Sequence, residues 1–251
     1  ITQAACDRLG PDHPLVRFLG TEAAALSDYG WMGDMQHSLF VRSPAAAFLA
    51  DDYLLFPASP VLRDHGCPGV EATFEPFFHR AVQAIRTETP ANAARWIGAL
   101  LHYVEDAGAP PHALNTGGPV HGPMENWVDA NRITLGDYRP STLGGTEEEA
   151  VRGLLKRMAG LVAFSRERGL RARPLAEAGR RSEVEPILLE SALETSCVVA
   201  DVLHTLGRFT VARPIPGQAT LRGTVSRPAG AAPGALPAKI MLEGTLYSTL
   251  S

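Results

Sequence analysis

Thr89-Pro90-Ala91-Asn92-Ala93-Ala94-Arg95-Trp96-Ile97-Gly98-Ala99-Leu100-Leu101-His102-Tyr103-Val104-Glu105-Asp106 reads as one long helix and sets the class of the fold. Thr89 offers a side-chain oxygen for the N-cap, and Pro90 suits the first helical position, where no N–H is needed. Good helix formers fill Ala91 to Asp106 until Gly108, Pro110 and Pro111 end the element. Outward from it the texture is the same. Val151, Leu154, Leu155, Met158 and Val162 recur at spacings of three and four, which predicts a helix from Glu147 to Ser165. A second such stretch runs from about Glu183 to Arg208 through Ile187, Leu188, Ala192, Val198, Val199, Val202 and Leu206. Ile1 to Leu9, Pro14 to Leu26 and Glu71 to Arg86 are further expected helices, so the class is mainly α.

Past Arg213 the pattern changes. Pro214, Pro216 and Gly217 form a linker, and Ala219 to Val225 and Ala238 to Tyr247 read as two strands around a loop rich in Pro, Gly and Ala. Two strands alone are marginal in water, so residues 213–251 are expected to be the linker and first strands of a truncated β-sandwich module, after a helical domain over 1–212. Gly223-Thr224-Val225 and Ile240-Met241-Leu242-Glu243-Gly244-Thr245 resemble the opening of a carboxypeptidase-regulatory-like domain.

Composition sets the outer bounds. The 251 residues are 45% hydrophobic and 20% charged, enough for a real core and unlike a disordered or collagen-like chain. With 23 basic and 27 acidic residues the net charge is −4, which argues against a broad nucleic-acid footprint while allowing a cleft that cuts nucleic acid. No apolar run approaches the roughly 18 residues a membrane span needs. The 3 cysteines, Cys6, Cys67 and Cys197, have no CxxC spacing, so neither a disulfide framework nor a cysteine zinc site is expected. The chain opens on Ile1 instead of Met, and the expectation is that something upstream was removed or left out.

Chemistry concentrates between His102 and Glu125. His102 and Asp106 stand four apart on the long helix, which puts imidazole and carboxylate on one face within chelating reach of one cation. His121 and Glu125 repeat the spacing behind Gly122 and Pro123, and His112 lies between the pairs on a loop stiffened by Pro110 and Pro111. A single His-x-x-x-Asp arises often by chance, but two such pairs with a histidine between them have no packing rationale. Nitrogen and oxygen donors without thiolate suit zinc, and five ligands exceed what one tetrahedral ion takes. Glu105 should point about 100° away from Asp106 and be solvated. His13, between Asp12 and Pro14, looks like a helix entry, and His65, His79 and His204 read as structural or surface residues, His65 the least settled of them.

His102-x-x-x-Asp106, His112 and His121-x-x-x-Glu125-Asn126-Trp127-Val128-Asp129 together resemble the zinc-dependent phospholipase C family of bacteria, a mainly helical fold that shares a trinuclear zinc site with fungal single-strand nucleases. Glutamate at the last ligand position, followed by Asn-aromatic-Val-Asp, looks like the phospholipase branch. The resemblance implies that His102 and Asp106 share one zinc with an upstream Asp and His, and that His112, His121 and Glu125 hold a second. Ser27-Asp28-Tyr29 resembles the family's Asp-Tyr step, which makes Asp28 a ligand with a general-base role, Asp34 its competitor, and His37 the partner histidine. Ile1 to Ala5 resembles the helix just after a family histidine, so the remaining ligands of a third zinc would lie upstream of Ile1, with Asp106 as the retained bridging carboxylate. Glu105, Asn126 and Asp129 are possible hydrogen-bond partners of the ligands, or plain polar surface.

The implied activity is metal-assisted phosphodiester hydrolysis by an extracytoplasmic bacterial protein, expected to be a monomer with transient membrane-surface contact. Tyr29, Trp31, Met32 and Phe40 could supply an apolar approach surface for a phospholipid. Two alternatives stay open: a single-strand nuclease, and a non-catalytic metal-stabilised domain of a secreted protein.

Overall fold

The computed structural model describes residues 1–30 and 65–211, together with the backbone of Lys239–Leu242 and Thr245–Ser248. Asp34, His37, Trp31, Met32, Phe40 and the expected strand Ala219 to Val225 lie outside the described residues.

The described chain is mainly helical: α1 (Thr2–Leu9), α2 (Pro14–Leu19), a 3-10 turn (Gly20–Ala25), α3 (Leu26–Gly30), α4 (Glu71–Thr87), α5 (Pro90–Gly108), α6 (Pro110–Ala113), α7 (His121–Asn126), α8 (Glu147–Glu177) and α9 (Arg181–Val211). Thr89 caps α5 as its sequence predicts, accepting a hydrogen bond from the Asn92 N–H, with Pro90 in the first turn. The helix expected from Pro14 to Leu26 is broken. Gly20 takes φ +58 and ends α2, and the chain continues as a tight 3-10 turn before α3.

α5 is the central element. Every residue from Trp96 to Val104 is buried, so the burial runs around its whole circumference, as a helix enclosed by neighbours requires. α3, α4, α8 and α9 pack against it. At Gly98 the α3 backbone comes so close that a Cβ would stand 2.4 Å from Tyr29 Cβ and 2.9 Å from the Tyr29 carbonyl carbon. Gly98→Ala gains about 1 kcal/mol in helix propensity. Overpacking against main chain costs about 1–3 kcal/mol and cannot be relieved by a rotamer change. The expected result is a lowered thermal midpoint, checked by circular dichroism; an unchanged or raised midpoint would contradict this packing.

α8 and α9 fold back on each other through residues 178–180, with Gly179 at φ +68. Both are longer than their apolar spacing predicts. α8 opens on a complete capping box, Thr146 with Glu149. The stretch between α7 and α8 is stapled to α9 by Asp201, which accepts from Tyr138 Oη at 2.8 Å and from the Ser141 N–H at 2.6 Å. A smaller core of Met124, Ala172, Ala176, Val184, Ile187 and Leu188 holds α7 to the turn end of α8 and α9. This cluster positions His121 and Glu125.

In the tail, Lys239–Leu242 pairs antiparallel with Thr245–Ser248, Leu242 opposite Thr245 and Lys239 opposite Ser248. The span Ala238 to Tyr247, expected as one strand, therefore holds parts of two, Lys239–Leu242 and Thr245–Ser248. Among the described residues no helix is long and apolar enough to cross a membrane.

Candidate metal centre

α5 delivers the first two donors. His102 and Asp106 are one turn apart, His102 Nε2 lying 3.1 Å from Asp106 Oδ2. The third donor comes from the segment entering α4: His65 Nδ1 stands 2.6 Å from the same Oδ2 and 2.9 Å from His102 Nε2. Three ligand atoms thus converge on one point. Burial opposes ionisation of Asp106, yet hydrogen bonds with His102 and His65 and the charges of the imidazoles outweigh it and hold the carboxyl well below the usual carboxylate range.

A second group forms beside the first. His112 Nε2 lies 2.8 Å from Glu125 Oε1, and His121 Nε2 lies 3.6 Å from that oxygen. The His112 and His121 rings meet edge to face at 4.8 Å. Burial works against protonation of His112, but its bond to Glu125 and the charge of Asp106 prevail and raise its pKa; the same bond lowers that of Glu125. Asp106 spans the two groups, since its other oxygen, Oδ1, faces His112 Nε2 at 3.8 Å.

Peptide carbonyls set the tautomers. His112 Nδ1 donates to the His65 carbonyl at 3.0 Å and His121 Nδ1 donates to the Thr116 carbonyl at 2.7 Å. Each ring is left with its Nε2 lone pair turned toward the group, as a metal-ligating imidazole requires. The His65 segment is tied to α6 in both directions, because the Cys67 N–H donates to the His112 carbonyl at 3.0 Å. Gly66 permits this approach, its missing Cβ leaving room for Asn115 Oδ1.

The donor sets fit a divalent ion. Bonds of about 2.0–2.1 Å around a tetrahedral centre put neighbouring ligand atoms about 3.3 Å apart. The atoms of His65, His102 and Asp106, and those of His112, His121 and Glu125, lie within 4.8 Å of one another in each group. All are imidazole nitrogen or carboxylate oxygen.

Five of the seven ligands expected from the sequence, His102, Asp106, His112, His121 and Glu125, are brought together. Asp28 is not: it is exposed on α3, whose inner face is formed by Leu26 and Gly30, and among the described residues it joins neither group. His37 lies outside the described residues. His65, which by sequence reads as a structural or surface residue, completes the first group instead. Its neighbours Gly66 and Pro68 hinted at a tight, rigid approach, but no helical period marked the residue.

Glu105 is a second correction. It is half-buried against α1 at the wall of a recess, accepting from Thr2 Oγ1 at 2.6 Å, and burial raises its pKa. Asn126 donates to the Gly122 carbonyl and Asp129 caps the turn Ala130–Arg132, so these side chains serve local backbone. A small recess of about 80 Å³ opens beside Glu125, walled by Ile1, Glu105, Pro110, Met124, Val128 and Leu188.

Comparison with protein-family models, with curated proteins and with solved structures finds no match for this chain.

Proposed function

We propose that this chain is a zinc-dependent phosphodiester hydrolase of the phospholipase C kind, releasing a phosphorylated headgroup from a phospholipid. The observation that carries the reading is the pair of three-donor groups joined by the Asp106 carboxylate. Zinc bound there would supply Lewis acidity toward phosphate oxygens and acidify a water toward neutrality. The chain's own part is to hold that chemistry in place. His65, His102 and Asp106 form one seat, and His112, His121 and Glu125 the other. The carbonyls of His65 and Thr116 keep two of the imidazoles in the ligating tautomer.

The recess beside Glu125 is walled mainly by apolar side chains, which favours an ester with an apolar substituent over a stacked nucleotide base. The sequence run Glu125-Asn126-Trp127-Val128-Asp129 supports the same branch. Asp28 has no assigned role in this mechanism, because it stands on the exposed side of α3. The reading carries with it an extracytoplasmic, monomeric protein that touches a membrane surface transiently, and a tail that opens a β-sandwich module.

Phosphatidylcholine vesicles, bis(p-nitrophenyl) phosphate and single-stranded DNA, each offered with added zinc and with chelator, test the proposal. Chelator-sensitive release of phosphocholine is expected, and His121→Ala should lower it at least about 100-fold. Turnover confined to DNA would replace the reading by a nuclease, and absence of turnover on all three would leave a metal-stabilised domain.

A further inference from the structure

His13 commits both ring nitrogens. Nδ1 accepts the Leu15 N–H at 3.3 Å and so caps α2, while Nε2 faces His204 Nδ1 on α9 at 3.2 Å. The cap decides the tautomer: Nδ1 must be unprotonated, Nε2 must carry the hydrogen, and His204 Nδ1 must accept it. An added proton on His13 sets one N–H against the Leu15 N–H. The His13 ring cannot charge while the cap stands.

The close fit leaves no slack. A Cβ at Gly207 would stand 2.5 Å from His13 Cε1, so the imidazole lies directly on the α9 backbone. Both α1 and α2 pack on α9, and α1 carries Thr2, bound to Glu105, and follows Ile1 at the wall of the recess. We propose that His13 and His204 form an acid-released latch, which holds α1 and α2 against α9 and thereby one wall of the recess beside the metal centre.

His204 is the ionisable group that faces His13 among the described residues. Asp12 and Arg17 on its own segment and Arg208 on α9 are exposed, and α5, which also packs on α2, aims no ionisable side chain at it. Burial first, and His204 second, push the His13 imidazole down to about 4. A histidine depressed in the folded state stabilises it fully above the ordinary value of about 6.5, and that contribution is lost as pH falls toward 4. Between pH 7.5 and 5.0 the opening constant of the latch should therefore rise about 30-fold.

Hydrogen exchange read by mass spectrometry, corrected for intrinsic rates, tests this on the whole chain. Peptides over residues 1–19 should lose about 30-fold protection from pH 7.5 to 5.0, while peptides over 147–177 hold theirs. His13→Asn keeps a capping oxygen and removes the titration, so its response should be flat; His204→Gln offers an amide oxygen to His13 Nε2–H and leaves the burial and the Leu15 cap of His13 in place, so it should keep most of the response. Unchanged protection over 1–19 in the wild-type chain, or a wild-type pH response in His13→Asn, would overturn the latch. So would a loss confined to residues 110–126, which would place the acid sensitivity in the metal centre.

Discussion

Asp106→Ala is expected to lose tight metal binding at both groups together, and with it chelator-sensitive hydrolysis. One oxygen of this carboxylate meets His65 and His102 and the other faces His112, so the alanine removes the feature the two donor sets share. It also takes away the negative charge that would offset two bound cations. Loss of a hydrogen-bond partner one step removed from a metal costs about 10–100-fold in affinity, and loss of a shared ligand should exceed the upper figure. Equilibrium dialysis against zinc reads the affinity, and urea unfolding of the metal-free chain shows whether the fold survives. A variant that still binds one ion tightly would mean that Asp106 belongs to a single group.

Asp201→Ala should produce a large loss of stability at a distance from the metal centre. The carboxylate is almost fully buried, at 1% exposure. It accepts from Tyr138 Oη, the Ser141 N–H and Arg157 Nε, the last at 3.1 Å. Burial raises the Tyr138 pKa first, and the Asp201 bond raises it further, so the phenol stays a donor. Removing one partner of a buried charged pair costs about 3–5 kcal/mol. Arg157 keeps Glu194 at 2.6 Å, so the lower end applies, about 3 kcal/mol in urea unfolding. The stretch joining α7 to α8 should loosen first. A loss below about 1 kcal/mol would show that the staple is dispensable.

The centre of the fold was legible because its signals are local. Thr89 and Pro90 mark where α5 begins, and its ligands His102 and Asp106 follow from helical spacing alone. The second half of α8 was not legible. Its buried face is made of Ser165, Gly169, Ala172 and Ala176, small residues that carry no hydrophobic period although they let other elements approach. At Gly169 an added Cβ would meet Leu114 Cδ1 at 2.7 Å, which is how α6 and His112 come to rest on α8.

The metal centre divides in the same way. Donors spaced along one segment could be found by counting, and five were. His65 could not, because a carbonyl bond to His112 and a backbone bond from Cys67 bring it there across the fold. Glu105 misled for a related reason: helical geometry rightly turned it away from Asp106, but what covers that side is α1, through Thr2. Rotation around a helix axis says where a side chain points and nothing about which distant segment meets it.

The most direct test of two joined metal groups is the zinc content of the purified chain, measured by inductively coupled plasma mass spectrometry after dialysis. Two ions per chain are predicted, falling to one in His121→Ala and to none held tightly in Asp106→Ala. A wild-type chain that retains no divalent metal would contradict the assignment of these residues as ligands.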